Sequence, residues 1–271
     1  MEQQRCRNWK ELKLLINERY PEMSRRLQQV AQFVLDNPKT VAFETIAVIA
    51  DDIGVPPSTL IRFSSSLDFK GFNDLKEVIK ADVLASNLNY GRRIDLLADQ
   101  MDWDSDTLLS KLVSANCFAL SDMEANIAAA DIKQATDLLA DAKNIFVLGN
   151  GRAYSVATYF YYALNHAGAR TFLLNGGGGM HQEEVNNIDR SDVLIAISYS
   201  PYTSNTLSLV ESVAKRQVPV IALTDNMLSP LSTVSSVSLN AEEGEVDGFR
   251  SLSVSMLLAQ VLALSLADKK R

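Results

Sequence analysis

The chain has 271 residues, 47% of them hydrophobic and 22% charged, enough apolar side chain for packed cores and too much for a disordered or fibrous protein. At about 100–200 residues per domain the length favours two domains over one. The formal net charge of −7 argues against a uniformly basic nucleic-acid coat or a polybasic membrane anchor.

The charge is unevenly spread. Residues 1–85 hold twelve basic and twelve acidic side chains, and the rest of the chain carries the whole excess of negative charge. A surface for a polyanion is therefore to be sought in the first third, as a local patch. Cys6 and Cys117 are too few for a disulfide framework, and with only His166 and His181 no metal-ligand spacing occurs. Unpaired thiols, a start without a signal-peptide pattern, and a longest apolar run (Leu252 to Ala267) interrupted by Ser253, Ser255, Gln260 and Ser265 together predict a cytoplasmic protein with no membrane partner. No cofactor is expected.

Ser24 to Asp36 places Leu27, Val30, Ala31, Val34 and Leu35 on one helical face, and Asn37-Pro38 ends it. A second helix over Thr45 to Ile53 sets Ile46, Ile49, Ala50 and Ile53 on one side, and Gly54 stands where a helix reaches its left-handed cap. After the turn Gly54-Val55-Pro56, Pro57-Ser58-Thr59 opens a third helix to about Leu67, with Leu60, Ile61 and Phe63 available for the core. Helix, tight glycine turn, helix is the unit that lays its second helix in a DNA major groove. Such a bundle can also be only a packing or dimerisation module. Ser58 fits both an N-cap and a base- or phosphate-contacting residue.

The segment GVPPSTLIRFSSSLDFKGFNDLK resembles the helix-turn-helix signature of RpiR-type transcriptional regulators, and IAVIADDIGV fits the helix before it. The continuation Gly71, Phe72, Leu75 and Lys76 makes the resemblance specific beyond a generic helix-turn-helix. Where members of that family often carry a basic residue, this chain has Ser64, Ser65 and Ser66, so Arg62 is the only cation of the third helix and phosphate affinity would lean on Arg25, Arg26, Lys70 or the N-terminal arm. The resemblance implies an operator-binding domain over residues 1–85, with Thr45, Ser58, Thr59, Arg62, Ser65 and Lys70 as candidate contacts to double-stranded DNA.

Residues 86 to about 105 lack sustained periodicity and are read as a linker. Residues 107–142 turn helix-favouring, with Leu108, Leu112, Ala115, Leu120, Ile127, Ile132, Ala135 and Leu139 over two helices, and are read as a bridge packed on the next domain. From residue 143 onward, β-rich runs at 145–148, 171–174, 193–197, 218–223 and 237–239 alternate with helical or glycine-rich stretches, which predicts a parallel sheet covered on both faces. Ligands of such sheets bind beyond the carboxyl ends of the strands. Two loops qualify, Gly149-Asn150-Gly151-Arg152 and Ser198-Tyr199-Ser200-Pro201-Tyr202-Thr203. The second precedes a helix beginning near Ser204, where free amides and the helix dipole favour an anion. A strand followed by Gly-x-Gly is by itself a weak signal.

These loops and the strand order resemble the sugar-isomerase (SIS) domain, which in RpiR-type regulators is the C-terminal phosphosugar sensor. The resemblance implies an all-α helix-turn-helix domain followed by an α/β domain with a five-stranded parallel sheet flanked by helices. The implied metabolite contacts are Asn150, Gly151, Arg152, Ser155, Ser198, Tyr199, Ser200, Tyr202, Thr203 and Glu242, in a homodimer or homotetramer. Two positions depart from the family pattern. Ala153 replaces a serine, and Pro201 replaces a glycine and has no N–H to donate, so Ser155 or Arg152 would have to compensate, or the ligand is a less phosphorylated or different anion.

Four consecutive glycines, Gly176 to Gly179, are read as a loop that either closes over ligand or only connects strand to helix. Tyr159, Phe160, Tyr161 and Tyr162 cover more than half a helix circumference and are expected in a core and a subunit interface. An isomerase would need a general acid or base, for which His181, Glu183, Glu242, Glu243 and Glu245 are candidates, although solvated surface acids are the plainer reading. Three functions are thus weighed: a metabolite-responsive transcriptional regulator, which the two modules on one chain favour; a sugar-phosphate isomerase with an N-terminal assembly module; and an interaction scaffold with a degenerate SIS domain.

Overall fold

A computed structural model describes residues 8–86 and 104–271. The chain divides into two compact units, residues 1–103 and 104–271. Residues 87–103, most of the expected linker, lie outside the described residues, as does Cys6.

The described part of the first unit is all-helical. Helix α1 (Trp9–Arg19) starts on Asn8, whose side chain accepts from the Glu11 amide, and buries Trp9, Leu12 and Ile16. This helix was not expected from the sequence, because its charged residues dilute the apolar stripe. Helices α2 (Arg25–Asp36) and α3 (Pro38–Phe43) meet at Asn37. Pro38 ends one helix and opens the next: its fixed φ suits the first turn, where the missing N–H has no partner to lose. Helix α4 (Ile46–Ile53) is followed by Gly54 at φ +72°, the left-handed residue that turns the chain into α5 (Pro57–Ser66). Leu60 and Phe63 of α5 are fully buried with Ile49 and Ala50 of α4, and α6 (Phe72–Ser86) closes the bundle with Phe72, Leu75 and Ile79. Arg19 ties α1 to the end of α5, bonding the Ser66 carbonyl and pairing with Asp68 at 2.6 Å.

At the C-terminal end of α2, Asp36 is partly buried and accepts two hydrogen bonds from Gln32 at 3.0 and 3.2 Å. Burial outweighs those bonds and pushes its carboxyl up to about 6. Because the folded state holds this proton more tightly than the unfolded chain, the charged carboxylate opposes folding above pH 6 and the penalty fades as pH falls toward 4. Asp36→Asn is therefore expected to stabilise the protein by about 1–3 kcal/mol at pH 7.5 and to change little at pH 4, as read by urea unfolding at the two pH values.

The second unit is an α/β sandwich. Five parallel strands, β1 (Ile145–Gly149), β2 (Thr171–Leu174), β3 (Val193–Ile197), β4 (Val220–Thr224) and β5 (Val237–Asn240), lie in the order β2-β1-β3-β4-β5. Strands β3 and β4 are buried along their whole length, as a central strand covered on both faces requires. The two helices read as a bridge, α7 (Ser105–Asn126) and α8 (Ala129–Asp141), belong to this unit. Together with α9 (Ala153–His166) and the long C-terminal α13 (Ser253–Lys269) they cover one face of the sheet. Helices α10 (His181–Asn186), α11 (Ser204–Lys215) and α12 (Pro230–Val234) cover the other. Of the aromatic block, Phe160 is in the core, Tyr159 packs against it, and Tyr161 and Tyr162 are exposed. Gly177–Gly179 form a short 3-10 turn in the strand-to-helix connection, and the His181 ring lies where a Cβ on Gly176 would sit, so Gly176 serves a close approach there.

An antiparallel hairpin, β6 (Glu245–Val246) paired with β7 (Phe249–Arg250), was not foreseen. It joins the last sheet strand to α13. At its root Gly244 lies so close to α7 that a Cβ there would fall 2.8 Å from the Ala115 carbonyl oxygen.

Candidate functional site

In the second unit the strand order reverses between β1 and β3, whose connections run to opposite faces of the sheet and open a crevice beyond their carboxyl ends. A cavity of about 260 Å³ occupies that place. Asn150, Gly151, Arg152 and Ala153 line it from the first loop, and Ile197 to Pro201 and Thr203 from the second, with Thr206 at the start of α11.

The two loops are fastened together by a residue the sequence did not flag. The Thr206 hydroxyl oxygen, 1% exposed, accepts from Asn150 Nδ2 at 3.1 Å and from Thr203 Oγ1 at 2.8 Å. Thr203, the N-cap of α11, spends its hydroxyl on Thr206 and caps no backbone amide of the first turn, whose amides are left at the positive end of the helix dipole. Gly151 at φ +58° makes the turn that feeds α9, so two helix N-termini converge on one small space.

Arg152 lies over the Tyr199 ring, 5.1 Å from its centre, and donates to the carbonyls of Arg250 and Ser251, each at 3.1 Å. Partial burial, and then the positive charge of Arg250, hold its pKa below the ordinary guanidinium value; the nearby positive charge is relieved when an anion enters. Tyr199 donates to or accepts from Ser255 Oγ at 2.6 Å, and its burial raises the phenol pKa, so it remains a neutral hydrogen-bonding group.

Not every expected contact reaches the cavity. Ser155 is exposed on α9 and is not among the lining residues, because two positions past Ala153 the helix has turned its side chain away. Tyr202 instead gives its hydroxyl to Asp225 at 2.8 Å. The Ser200 amide also donates to Asp225, at 3.1 and 3.2 Å, and so is spent on bracing the loop. Glu242 lies outside the lining as well. Its neighbour Glu243 is no solvated acid. It is 5% exposed and accepts from the amides of Val254 and Ser255 and from the Ser251 hydroxyl, each at 3.0 Å, which makes it the N-terminal cap of α13.

Asp225 and Arg250 complete the second loop's support. Arg250 pairs with Glu245 at 2.7 Å, donates to the Ser200 carbonyl at 3.2 Å and lies 3.7 Å from Asp225. A carboxylate directly after a parallel strand was a legible signal for Asp225, since that is where such sheets work. Arg250, on a two-residue strand of an unforeseen hairpin, had none. The lining residues include several hydroxyls, an amide side chain and a guanidinium, and among the described residues no carboxylate or imidazole.

In the first unit, Ser58, Ile61, Arg62 and Ser65 share the exposed face of α5, while Ser64 is buried and bonds the Ile61 carbonyl. Thr59 is half-buried. Thr45 is exposed and caps α4, its hydroxyl accepting from the Val48 amide at 3.3 Å. Lys70 is exposed before α6. Of the auxiliary cations, Arg26 reaches back to the Gly54 carbonyl at 3.3 Å.

Comparison with known proteins agrees with both units. Residues 10–86 match the helix-turn-helix domain of the rpiR family, and residues 138–267 match the SIS domain. An uncharacterized HTH-type transcriptional regulator of Clostridium perfringens is 25% identical over 239 residues, covering 87% of this chain and 82% of that protein. The HTH-type transcriptional regulator HexR of Escherichia coli is 25% identical over 228 residues, 82% of this chain and 75% of HexR. Among solved structures, the Vibrio vulnificus NanR protein complexed with ManNAc-6P superposes with a TM-score of 0.59 at 22% identity, covering 95% of this chain and 92% of that one, and so shares its fold. With the two-unit architecture and both family matches in the same order along the chain, this protein belongs to the RpiR family of helix-turn-helix transcriptional regulators and carries a SIS domain as its second unit.

Proposed function

We propose that this regulator senses a sugar phosphate, or a closely related small anionic metabolite, in the cavity between β1 and β3, and that occupancy changes its grip on operator DNA. The observation that carries the reading is the cavity itself: two helix N-termini, the Ser198 and Thr203 hydroxyls and Arg152 surround a space of about 260 Å³. That is below the ~300–1,000 Å³ of drug-sized ligand sites, and it suits a phosphate with part of its carbon chain. The phosphosugar seen with NanR supports the same ligand class. Asn150, Gly151, Arg152, Ser198, Tyr199, Ser200 and Thr203 are the proposed ligand-contacting residues. The hydroxyls, amide side chain and guanidinium of the lining are groups that hold an anion.

Thr45, Ser58, Thr59, Arg62, Ser65 and Lys70 form the proposed DNA-facing set, in a cytoplasmic homo-oligomer whose two-fold symmetry matches a palindromic operator. Ligand would act through the hairpin. Arg152 holds its carbonyls, Arg250 holds the second loop, and Gly244 at its root presses on α7, the helix nearest the linker in sequence. Thermal melts of the full chain with a panel of sugar phosphates, and with the matching unphosphorylated sugars, test this. At least one phosphate ester is expected to raise the melting temperature by several degrees in the wild type and much less in Arg152→Ala, with no turnover of the ester. Stabilisation by no ester, or isomerised product, overturns the reading.

A further inference from the structure

Helix α5 presents Ser58, Ile61, Arg62 and Ser65 on one face, spaced three and four residues apart, while Leu60, Phe63 and Ser64 are buried on the other. Three of the four exposed side chains are polar. The fourth, Ile61, leaves 51% of its surface exposed at the centre of that face. Folding gives no reason for an isoleucine there: it adds little to the core, and as a β-branched residue it is a poorer helix former than alanine, lysine or glutamate. Its same-face neighbours Ser58 and Ser65 are too short to cover it. Of the groups that base edges present in the major groove, only the thymine C5-methyl is apolar; the others are hydrogen-bond donors and acceptors.

We propose that Ile61 is a specificity-determining residue that packs on a thymine methyl, so that each operator half-site carries an A·T pair with thymine at one fixed position facing the middle of α5. The inference rests on reading α5 as the helix that enters the major groove. It also assigns the polar members of the face different work. Arg62 supplies charge and hydrogen bonding beside the apolar contact, and Ser58, in the first turn of α5, is placed for phosphate or a base edge.

The test begins with selection of binding sites by the full chain from a random duplex pool, followed by replacement of each enriched thymine by uracil, which removes only the methyl group. Wild-type protein is expected to lose about fourfold in affinity at one thymine per half-site, the value of one apolar methyl contact, and Ile61→Ala is expected to bind the thymine and uracil versions equally well. Ile61→Val, a smaller change that keeps the helix packing, is expected to show an intermediate penalty, and the uracil scan with wild type stands without any variant. If no uracil replacement weakens wild-type binding, or if the penalty is undiminished in Ile61→Ala, the inference is overturned. An Ile61→Ala protein with unchanged base preference but altered subunit number would assign the side chain to a second copy of the chain instead. Failure of selection to enrich any sequence overturns the DNA-facing reading of α5 together with this inference.

Discussion

Glu243→Ala is expected to destabilise the second unit by about 2–4 kcal/mol, the cost of losing a buried helix cap together with a charged hydrogen-bond acceptor. Its carboxylate is nearly inaccessible and meets three donors at 3.0 Å, two of them the first free amides of α13. Alanine leaves those amides unpaired in a space too confined for bulk water. The carboxylate also faces the positive end of a 17-residue helix, a placement that favours the charge. Glu243→Gln keeps one acceptor oxygen and is expected to recover roughly half of the loss. Chemical unfolding of the two variants checks this ordering, and a catalytic role for Glu243 would instead appear as lost turnover in both at unchanged stability. Since α13 supplies Ser255 to Tyr199, the alanine variant should also weaken ligand binding indirectly.

Gly244→Ala is expected to separate ligand binding from its effect on DNA. The added methyl would meet the Ala115 carbonyl oxygen at 2.8 Å, its carbon at 2.9 Å and the Asn116 amide nitrogen at 3.0 Å, all backbone atoms of α7 that cannot rotate away. The helix must move off the hairpin, at a cost of about 1–3 kcal/mol for overpacking. Neither Gly244 nor any residue of α7 lines the cavity, so ligand affinity should change by less than about threefold, under 1 kcal/mol. Coupling between effector and operator sites is commonly worth about 1–3 kcal/mol, or 5- to 150-fold in affinity, and most of it should vanish. Operator binding measured by fluorescence anisotropy with and without a stabilising sugar phosphate reads the effect directly. A variant that responds to ligand as the wild type does would remove the hairpin from the coupling route.

Local pattern carried much of this protein into view. The Gly54-Val55-Pro56 turn between α4 and α5, the apolar face of α2 and the five β-rich runs are governed by short-range preferences: backbone conformations open to glycine and closed to other residues, and burial repeated at 3.6 or 2 residues. The same is true of the two loops at the cavity, because a glycine turn after a strand and hydroxyls before a helix are local chemistry. Helix α1 escaped because its apolar positions are separated by lysines and glutamates whose solvated sides only the folded bundle reveals.

What the sequence could not decide is which polar groups near the cavity are spent on one another. Ser200, Tyr202 and Glu243 have the same chemistry whether they face a ligand or the protein. Their assignment depends on Asp225, 25 residues from Ser200 and 23 from Tyr202, and on the first turn of α13, whose Val254 is 11 residues from Glu243. Hydrogen-bond partners at such separations are set by the sheet order and by where α13 packs, and neither leaves a periodic trace. Sequence alone determined that there is a helix-turn-helix ahead of an α/β sensor with loops suited to an anion. The tertiary structure alone decided that Thr206 ties those loops together, that Arg152 and Arg250 strap them to a hairpin, and that this hairpin rests on α7, since each is a meeting of side chains or backbone brought together only by packing.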